Sequence, residues 1–236
     1  MKPNLFITGT DTGCGKTYVS CGLLRSLGKQ GVAAAGMKPI ASGTTNINGA
    51  RSNEDVDDIL AAMSASADLS DVNPYLFDPP CSPDIAAAKA AQTVDLDRIE
   101  AAYARLSTAA ETVVVEGVGG WCVPLAPGVL VSDLARALKL PVVLIVGIKL
   151  GCINHALLSA RAVVADGMEL VGWVANEIDR EVLFPDEIIA TISRELRIPP
   201  LSRLPFAQSS NPSQGTDNER GFAEIWTRIV AELSNA

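Results

Sequence analysis

Six short apolar runs punctuate the chain: Leu5–Thr8, Val32–Met37, Thr112–Val115, Val142–Val146, Leu170–Ala175 and Leu201–Leu204. Amphipathic or alanine-rich stretches of helical character lie between them. Runs of this length without polar alternation predict strands covered on both faces, as in a parallel sheet built from right-handed β-α-β crossovers. The expected class is therefore α/β, a mainly parallel central sheet with helices on both faces. Such sheets gather ligands at the carboxyl ends of their strands. Lys38, Glu116, Lys149 and Asn176 follow the second, third, fourth and fifth runs, so chemically capable side chains fall where the fold would use them. Two stretches read as loops from their Gly, Ser, Thr, Asn and Pro content, Ala41–Ser52 and Gln208–Asn218. Ser52, with Asp55 three positions on and then Val56, Ile59 and Leu60, predicts the start of a helix with an acidic first turn.

The first run feeds Gly9-Thr10-Asp11-Thr12-Gly13-Cys14-Gly15-Lys16-Thr17, and Val19, Leu23 and Leu27 then recur on one helical face. A strand, a glycine-rich turn closed by Gly-Lys-Thr and a helix make a phosphate cradle. Backbone amides and the helix N-terminus face one anion, Lys16 adds an ammonium, and Thr17 adds a hydroxyl suited to Mg²⁺. The usual pattern has a glycine at the position of Thr10; here Gly9 stands one place earlier, so the loop is a variant. Gly-Lys-Thr alone recurs by chance, but the flanking strand and helix are those the mechanism needs. A nucleoside triphosphate with magnesium is the ligand implied, and a P-loop NTPase the class.

At 236 residues, 48% hydrophobic and 19% charged, the chain suits one folded domain over residues 1–236. A formal net charge of −8 argues against nucleic-acid or anionic-membrane partners, which need a broad basic field. A polyphosphate must instead be held by local cations, which singles out Lys16, Lys38 and Lys149. The cysteines, Cys14, Cys21, Cys81, Cys122 and Cys152, are odd in number and lack C-x-x-C spacing, so neither a disulfide framework nor a zinc site is indicated. No signal-peptide pattern or bilayer-length apolar run is present, and the expected location is cytoplasmic.

Val113-Val114-Val115-Glu116-Gly117-Val118-Gly119-Gly120 ends a strand in a carboxylate and a glycine-rich turn. Thr17, Glu116 and Asp55 are oxygen donors suited to magnesium, alongside water and phosphate oxygens. Complementation of the helix dipole accounts for Asp55 equally well on helix physics alone. Gly36-Met37-Lys38-Pro39 places Lys38 at a strand end, expected beside the phosphate loop because the second strand of such a sheet commonly neighbours the first. After the fourth strand, Lys149 and the start of a new helix make an anion site suited to a carboxylate. The lone histidine, His155, supports no triad and reads as a polar residue of the first helical turns.

Taken together, these motifs resemble the dethiobiotin synthetases, which act in biotin biosynthesis. The segments that carry the resemblance are Gly9-Thr10-Asp11-Thr12 with Gly15-Lys16-Thr17, Lys38-Pro39-Ile40-Ala41-Ser42-Gly43, Asn73-Pro74-Tyr75, Val115-Glu116-Gly117-Val118-Gly119-Gly120-Trp121, Lys149-Leu150-Gly151-Cys152-Ile153-Asn154-His155 and Gly172-Trp173-Val174-Ala175-Asn176, between roughly Leu5 and Phe206. The resemblance implies a ligase that uses ATP and Mg²⁺ to close a ureido ring on 7,8-diaminononanoate with CO₂, through a carbamate and a carbamic-phosphoric mixed anhydride. It implies catalytic roles for Lys16 and Lys38, and Mg²⁺ on Thr17, Asp55 and Glu116. Nucleotide contacts would come from Gly13, Cys14, Gly15, Lys16, Thr17, Tyr18, Asp55, Glu116, Gly117, Val118 and Gly119, with Asn176, Glu177, Pro205, Phe206 and Ala207 bordering the base. Thr12 and Ser42 would meet the diamine or carbamate. Lys149, Leu150, Gly151, Cys152, Ile153 and Asn154 would face the substrate's carboxylate tail across a homodimer interface.

The main rival is a partition or cell-division-type switch ATPase, which shares this kind of phosphate loop and binds DNA or membrane. The acidic charge and the lack of a basic amphipathic helix in the last segment, Asn218 to Trp226, weigh against it. A glutamine-dependent amidoligase would need an added amidotransferase domain, for which the chain has no room.

Overall fold

Leu5, Phe6 and Ile7 have no exposed surface, which suits the first strand to the middle of a sheet. The computed structural model describes residues 2–47, 50–207 and 218–235. β1 (Leu5–Gly9) runs through the glycine-rich turn into α1 (Lys16–Lys29), and β2 (Ala34–Met37) follows. An insertion of short elements comes next: β3 (Ile40–Ser42), β4 (Thr45–Ile47), β5 (Ala50–Ser52), α2 (Glu54–Ala62), α3 (Leu69–Val72), β6 (Tyr75–Phe77) and α4 (Pro83–Lys89). α5 (Leu96–Ala109) leads to the long β7 (Thr112–Gly120), then β8 (Pro124–Ala126), β9 (Val129–Leu130) and α6 (Val131–Leu138). The chain continues through β10 (Val142–Ile148), α7 (Cys152–Ala165), β11 (Leu170–Glu177), α8 (Pro185–Leu196), β12 (Ser202–Leu204) and α9 (Glu219–Asn235).

The six apolar runs all become strands of one parallel sheet, ordered β12-β11-β10-β1-β7-β2. Coverage on both faces is visible along β10. Val143 and Ile145 belong to one apolar cluster with α1 and α9, and the alternate residues Leu144, Val146 and Ile148 to a second, with Cys152, Ala156 and Ala160 of α7 and Ile192 of α8. This alternation is what a strand buried on both sides requires.

Three expectations need correction. β2 does not neighbour β1: β7 lies between them, paired to both, because the crossover through α1 skips one place in the sheet. The stretch Ala41–Ser52 is not plain loop. β3 pairs parallel with β6, with Ser42 opposite Phe77, and β4 pairs antiparallel with β5, with Thr45 opposite Ser52. Gly43, at φ 87°, makes the turn between β3 and β4. The residue that caps α2 is Asn53, whose side-chain oxygen accepts from the Val56 amide; Ser52 ends β5 and donates to Asp57. Of the predicted loop Gln208–Asn218, only Asn218 falls within the described residues.

Candidate active site

The glycine-rich turn takes its shape from two left-handed residues, Gly13 at φ 76° and Gly15 at φ 90°. Gly15 has a second reason to lack a side chain, since a Cβ there would stand 2.1 Å from the Asn176 amide nitrogen. Gly15 caps α1 without a side-chain bond, and no acidic residue stands in the helix's first turn. The first amides of α1 are therefore left to an external anion, with the dipole's positive end beside them. Lys16, 6% exposed, donates to the Asp11 carbonyl at 3.1 Å and so closes over the turn.

Thr17 carries the turn's chemistry to two other elements. Its hydroxyl lies 2.8 Å from Asp55 Oδ1 on α2 and 2.9 Å from Glu116 Oε1 on β7. One hydroxyl proton serves one of these bonds at a time. From the end of β2, Lys38 Nζ reaches the same two carboxylates, at 2.8 Å from Asp55 Oδ2 and 2.6 Å from Glu116 Oε1. Lys38 thus meets the phosphate turn through β7 rather than as a direct neighbour of β1. Burial works against its ammonium, but the charges of Glu116 and Asp55 outweigh that and hold the group above its ordinary 10.5. A lysine so held is a fixed cation, suited to stabilising anions and not to taking up protons. Asp55 moves the opposite way: desolvation raises its carboxyl, while Lys38, Thr17 and Lys16 together bring it below the ordinary range.

Glu116 is fully buried, and its Oε2 has no hydrogen-bond partner. A buried carboxylate oxygen without a donor is costly unless something else satisfies it. A hard dication fits there: Thr17 Oγ1, the carboxylate of Asp55 and Glu116 Oε2 are all oxygen donors, and magnesium is commonly held by one or two carboxylates plus phosphate and water.

These groups open on a cleft of about 1020 Å³. Its walls include Gly13, Gly15, Lys16, Thr17, Tyr18, Asp55, Val118, Gly119, Asn176, Glu177, Phe206 and Ala207 of the predicted nucleotide set, together with Thr12, Ser42 and Lys38. The remaining predicted residues lie behind or beside it. Cys14 is buried and offers its carbonyl to Asn176 Nδ2 at 3.0 Å. Glu116 stands behind Lys38, and Gly117 is buried close to Phe6 and Val131. Pro205 is exposed and holds Asn218 through its carbonyl. At the base-bordering end, Arg180 lies 4.6 Å over the Phe206 ring, and Glu177 accepts from Arg203 at 2.5 Å.

The segment Lys149–Asn154 is not brought into the cleft. Lys149 pairs with Asp11 at 2.7 Å, Leu150 is 96% exposed, Gly151 caps α7, Cys152 is buried and Asn154 faces outward. Beside this segment lies a second hollow of about 420 Å³ whose walls include Asp11, Thr12, Trp121 and His155. Thr12 borders both spaces. In the Lys149–Asp11 pair the hydrogen bond between them raises the ammonium and lowers the carboxyl. Residues without a predicted role also line the main cleft, notably Asn53, Ile178 and the Pro80–Pro83 wall. Two of these carried a sequence signal: Asn53 is an N-cap residue type directly before the acidic pair Glu54-Asp55, and Ser82-Pro83 is a helix start.

A parallel sheet whose central strand delivers a glycine turn, Lys16 and Thr17 to the mouth of a cleft defines a P-loop nucleotide-binding protein. A family model described as an AAA domain matches residues 3–214. Among solved structures, the MinC:MinD cell division complex of Aquifex aeolicus aligns over 97% of this chain and 96% of that one, with TM-score 0.62 and 14% identity. A ParA family ATPase from Chlorobium tepidum aligns over 99% of each chain, with TM-score 0.57 and 12% identity. At such identities these neighbours share the fold. Sequence relatives are more specific. The ATP-dependent dethiobiotin synthetase BioD of Xanthomonas euvesicatoria is 47% identical over 204 residues, covering 86% of this chain and 91% of the relative. The enzyme of the same name from Aromatoleum aromaticum is 44% identical over 209 residues, covering 89% and 93%. The chain belongs to the ATP-dependent dethiobiotin synthetase family. Among the described residues, no helix is long and apolar enough to cross a membrane.

Proposed function

We propose that this chain, acting as one synthetase domain over residues 1–236, is a ligase that makes dethiobiotin from 7,8-diaminononanoate, CO₂ and ATP. The observation that carries the reading is the meeting of Lys16, Thr17, Lys38, Asp55 and Glu116, from four separate elements, at one end of a cleft that continues past Ser42. One substrate amine adds to CO₂ and loses a proton, giving a carbamate. A carbamate oxygen then attacks the γ-phosphorus and ADP leaves; the second amine attacks the carbamoyl carbon, and phosphate leaves with the bridging oxygen. Each stage passes through an anion that must be held where water is excluded, and buried, permanently cationic Lys38 supplies that field next to the phosphate turn. Lys16 and the amides at the start of α1 hold the triphosphate. Thr17, Asp55 and Glu116 would hold magnesium, which would supply positive charge to the triphosphate as it reacts.

Recognition of the nucleobase falls to Asn176, Glu177 and the Pro205-Phe206-Ala207 turn. The Asn176 amide nitrogen donates one proton to the Cys14 carbonyl, which orients the side chain, and its oxygen is the acceptor for an exocyclic amine such as that of adenine. The outward-facing Leu150, Gly151 and Asn154 of the Lys149–Asn154 segment support a homodimer in which a second copy completes the site for the substrate's carboxylate. Leu150, Leu158 and Val164, at 96%, 57% and 62% exposure, offer the apolar contact such an interface needs. A cytoplasmic location is in keeping with metabolite chemistry of this kind and with the net charge of −8.

The switch-ATPase reading rests on a fold shared at 12–14% identity, against 44–47% to synthetases. Phosphate release from ATP separates the two. Release that requires both diamine and bicarbonate supports the synthetase; release by the protein alone at the same rate refutes it.

A further inference from the structure

Asn53 joins the two walls of the cleft. Its side-chain oxygen accepts from the Val56 amide at 3.3 Å and so caps α2, the helix that presents Asp55. Its amide nitrogen donates to the Gly43 carbonyl at 2.7 Å and lies 3.4 Å from the Ser42 carbonyl, at the end of β3. Ser42 is itself held from the far side, its hydroxyl donating to the Cys81 carbonyl at 2.8 Å. One side chain therefore spends its acceptor on the wall that carries Asp55 and its donors on the wall that carries Ser42. Only an amide does both: aspartate caps as well but cannot donate, and serine caps but is too short to reach across as well.

We infer that Asn53 is a positioning residue, which sets the distance between Ser42 on the diamine side and Asp55 on the nucleotide side. This rests on the synthetase reading above. The tether matters because the segment's other bonds run to the β6 side and not to α2. Ser42 pairs opposite Phe77, the amide of left-handed Gly43 bonds to the Phe77 carbonyl, and Thr44 bonds to Asp78, so Asn53 is the side chain that ties this wall to the helix carrying Asp55. Displacement of a substrate-positioning wall by an ångström is enough to cost catalysis heavily.

The test uses Asn53→Ser and Asn53→Asp, both of which keep the cap and only the second of which adds charge. Each should unfold within about 6 °C of the parent, because the helix cap survives and only the bond to the Gly43 carbonyl is lost. Amide hydrogen exchange should quicken in the peptide 41–46 and stay unchanged in 54–62, a readout that needs no turnover. In turnover assays with ATP, bicarbonate and diaminononanoate, kcat/KM for the diamine should fall about tenfold while KM for ATP moves less than about twofold. Ser42→Ala should then cost much less in the Asn53→Ser background than in the parent. Unchanged exchange in 41–46, equal loss towards diamine and ATP, or an undiminished Ser42→Ala effect overturns the inference. A parent that makes no product defeats the synthetase reading instead, and the exchange comparison still decides whether the tether exists.

Discussion

Replacing Lys38 with methionine isolates the electrostatic core of the site. The substitution keeps the aliphatic bulk and removes the ammonium that lies 2.6 Å from Glu116 and 2.8 Å from Asp55. The two partners are not equivalent. Asp55 is 44% exposed, so water screens most of its loss, whereas Glu116 is fully buried and keeps only the Thr17 hydroxyl. Breaking a buried pair from one side costs about 3–5 kcal/mol, and discounting the exposed partner leaves about 3 kcal/mol. For a chain of this size that corresponds to a fall in Tm of roughly 6–12 °C. Calorimetry of nucleotide-free protein measures it. Lys149→Met is the control, since that lysine and Asp11 are 35% and 38% exposed, and its shift should be under about 3 °C. Adding Glu116→Gln to Lys38→Met should recover most of the loss, because removing both charges spares the uncompensated one. A fall no larger than that of Lys149→Met, or no recovery in the double variant, refutes the reasoning.

Three further outcomes follow from the geometry. Asn176→Ala should weaken ATP binding and narrow the preference for ATP over GTP, measured by competition, since it removes the acceptor proposed to read the exocyclic amine. The Asp11 carboxyl is held below its ordinary 3.8 in the folded protein, so its contribution is complete above that value and is lost as pH falls through the lower folded value. Urea titrations should therefore show the parent losing its advantage over Asp11→Asn at the acid end, by under about 1 kcal/mol because the pair is exposed. Paired Leu150→Asp and Leu158→Asp should convert a dimer to monomer in light scattering, and a monomeric parent would contradict the proposed interface.

Much of this was legible in the chain because the signals were local and periodic. Continuous apolar runs marked all six strands of the sheet, and the phosphate turn followed from glycines and a Lys-Thr pair at fixed spacing. Burial then brought Glu116 and Lys38 to the same sheet edge as that turn. What escaped depended on partners far away in sequence. That β7 separates β1 from β2 is a matter of crossover order, which no run of residues encodes, so Lys38 arrives beside Glu116 by a different path from the one expected. Polar residues 41–52 look like loop until β6 supplies a pairing edge for β3. The choice of Asn53 over Ser52 as cap turns on which residue leaves the hairpin, a distinction finer than composition allows. Lys149 sits at a strand end as anticipated, yet its ammonium turns to Asp11 because that carboxylate is the near charge.

The most direct test of the central claim, that the cleft brings a carbamate oxygen onto the γ-phosphate, follows that oxygen. With CO₂ enriched in ¹⁸O, ATP and diaminononanoate, the phosphate released alongside dethiobiotin should carry one labelled oxygen from CO₂, read by mass spectrometry within the first turnovers. Dethiobiotin formed with unlabelled phosphate would contradict the account.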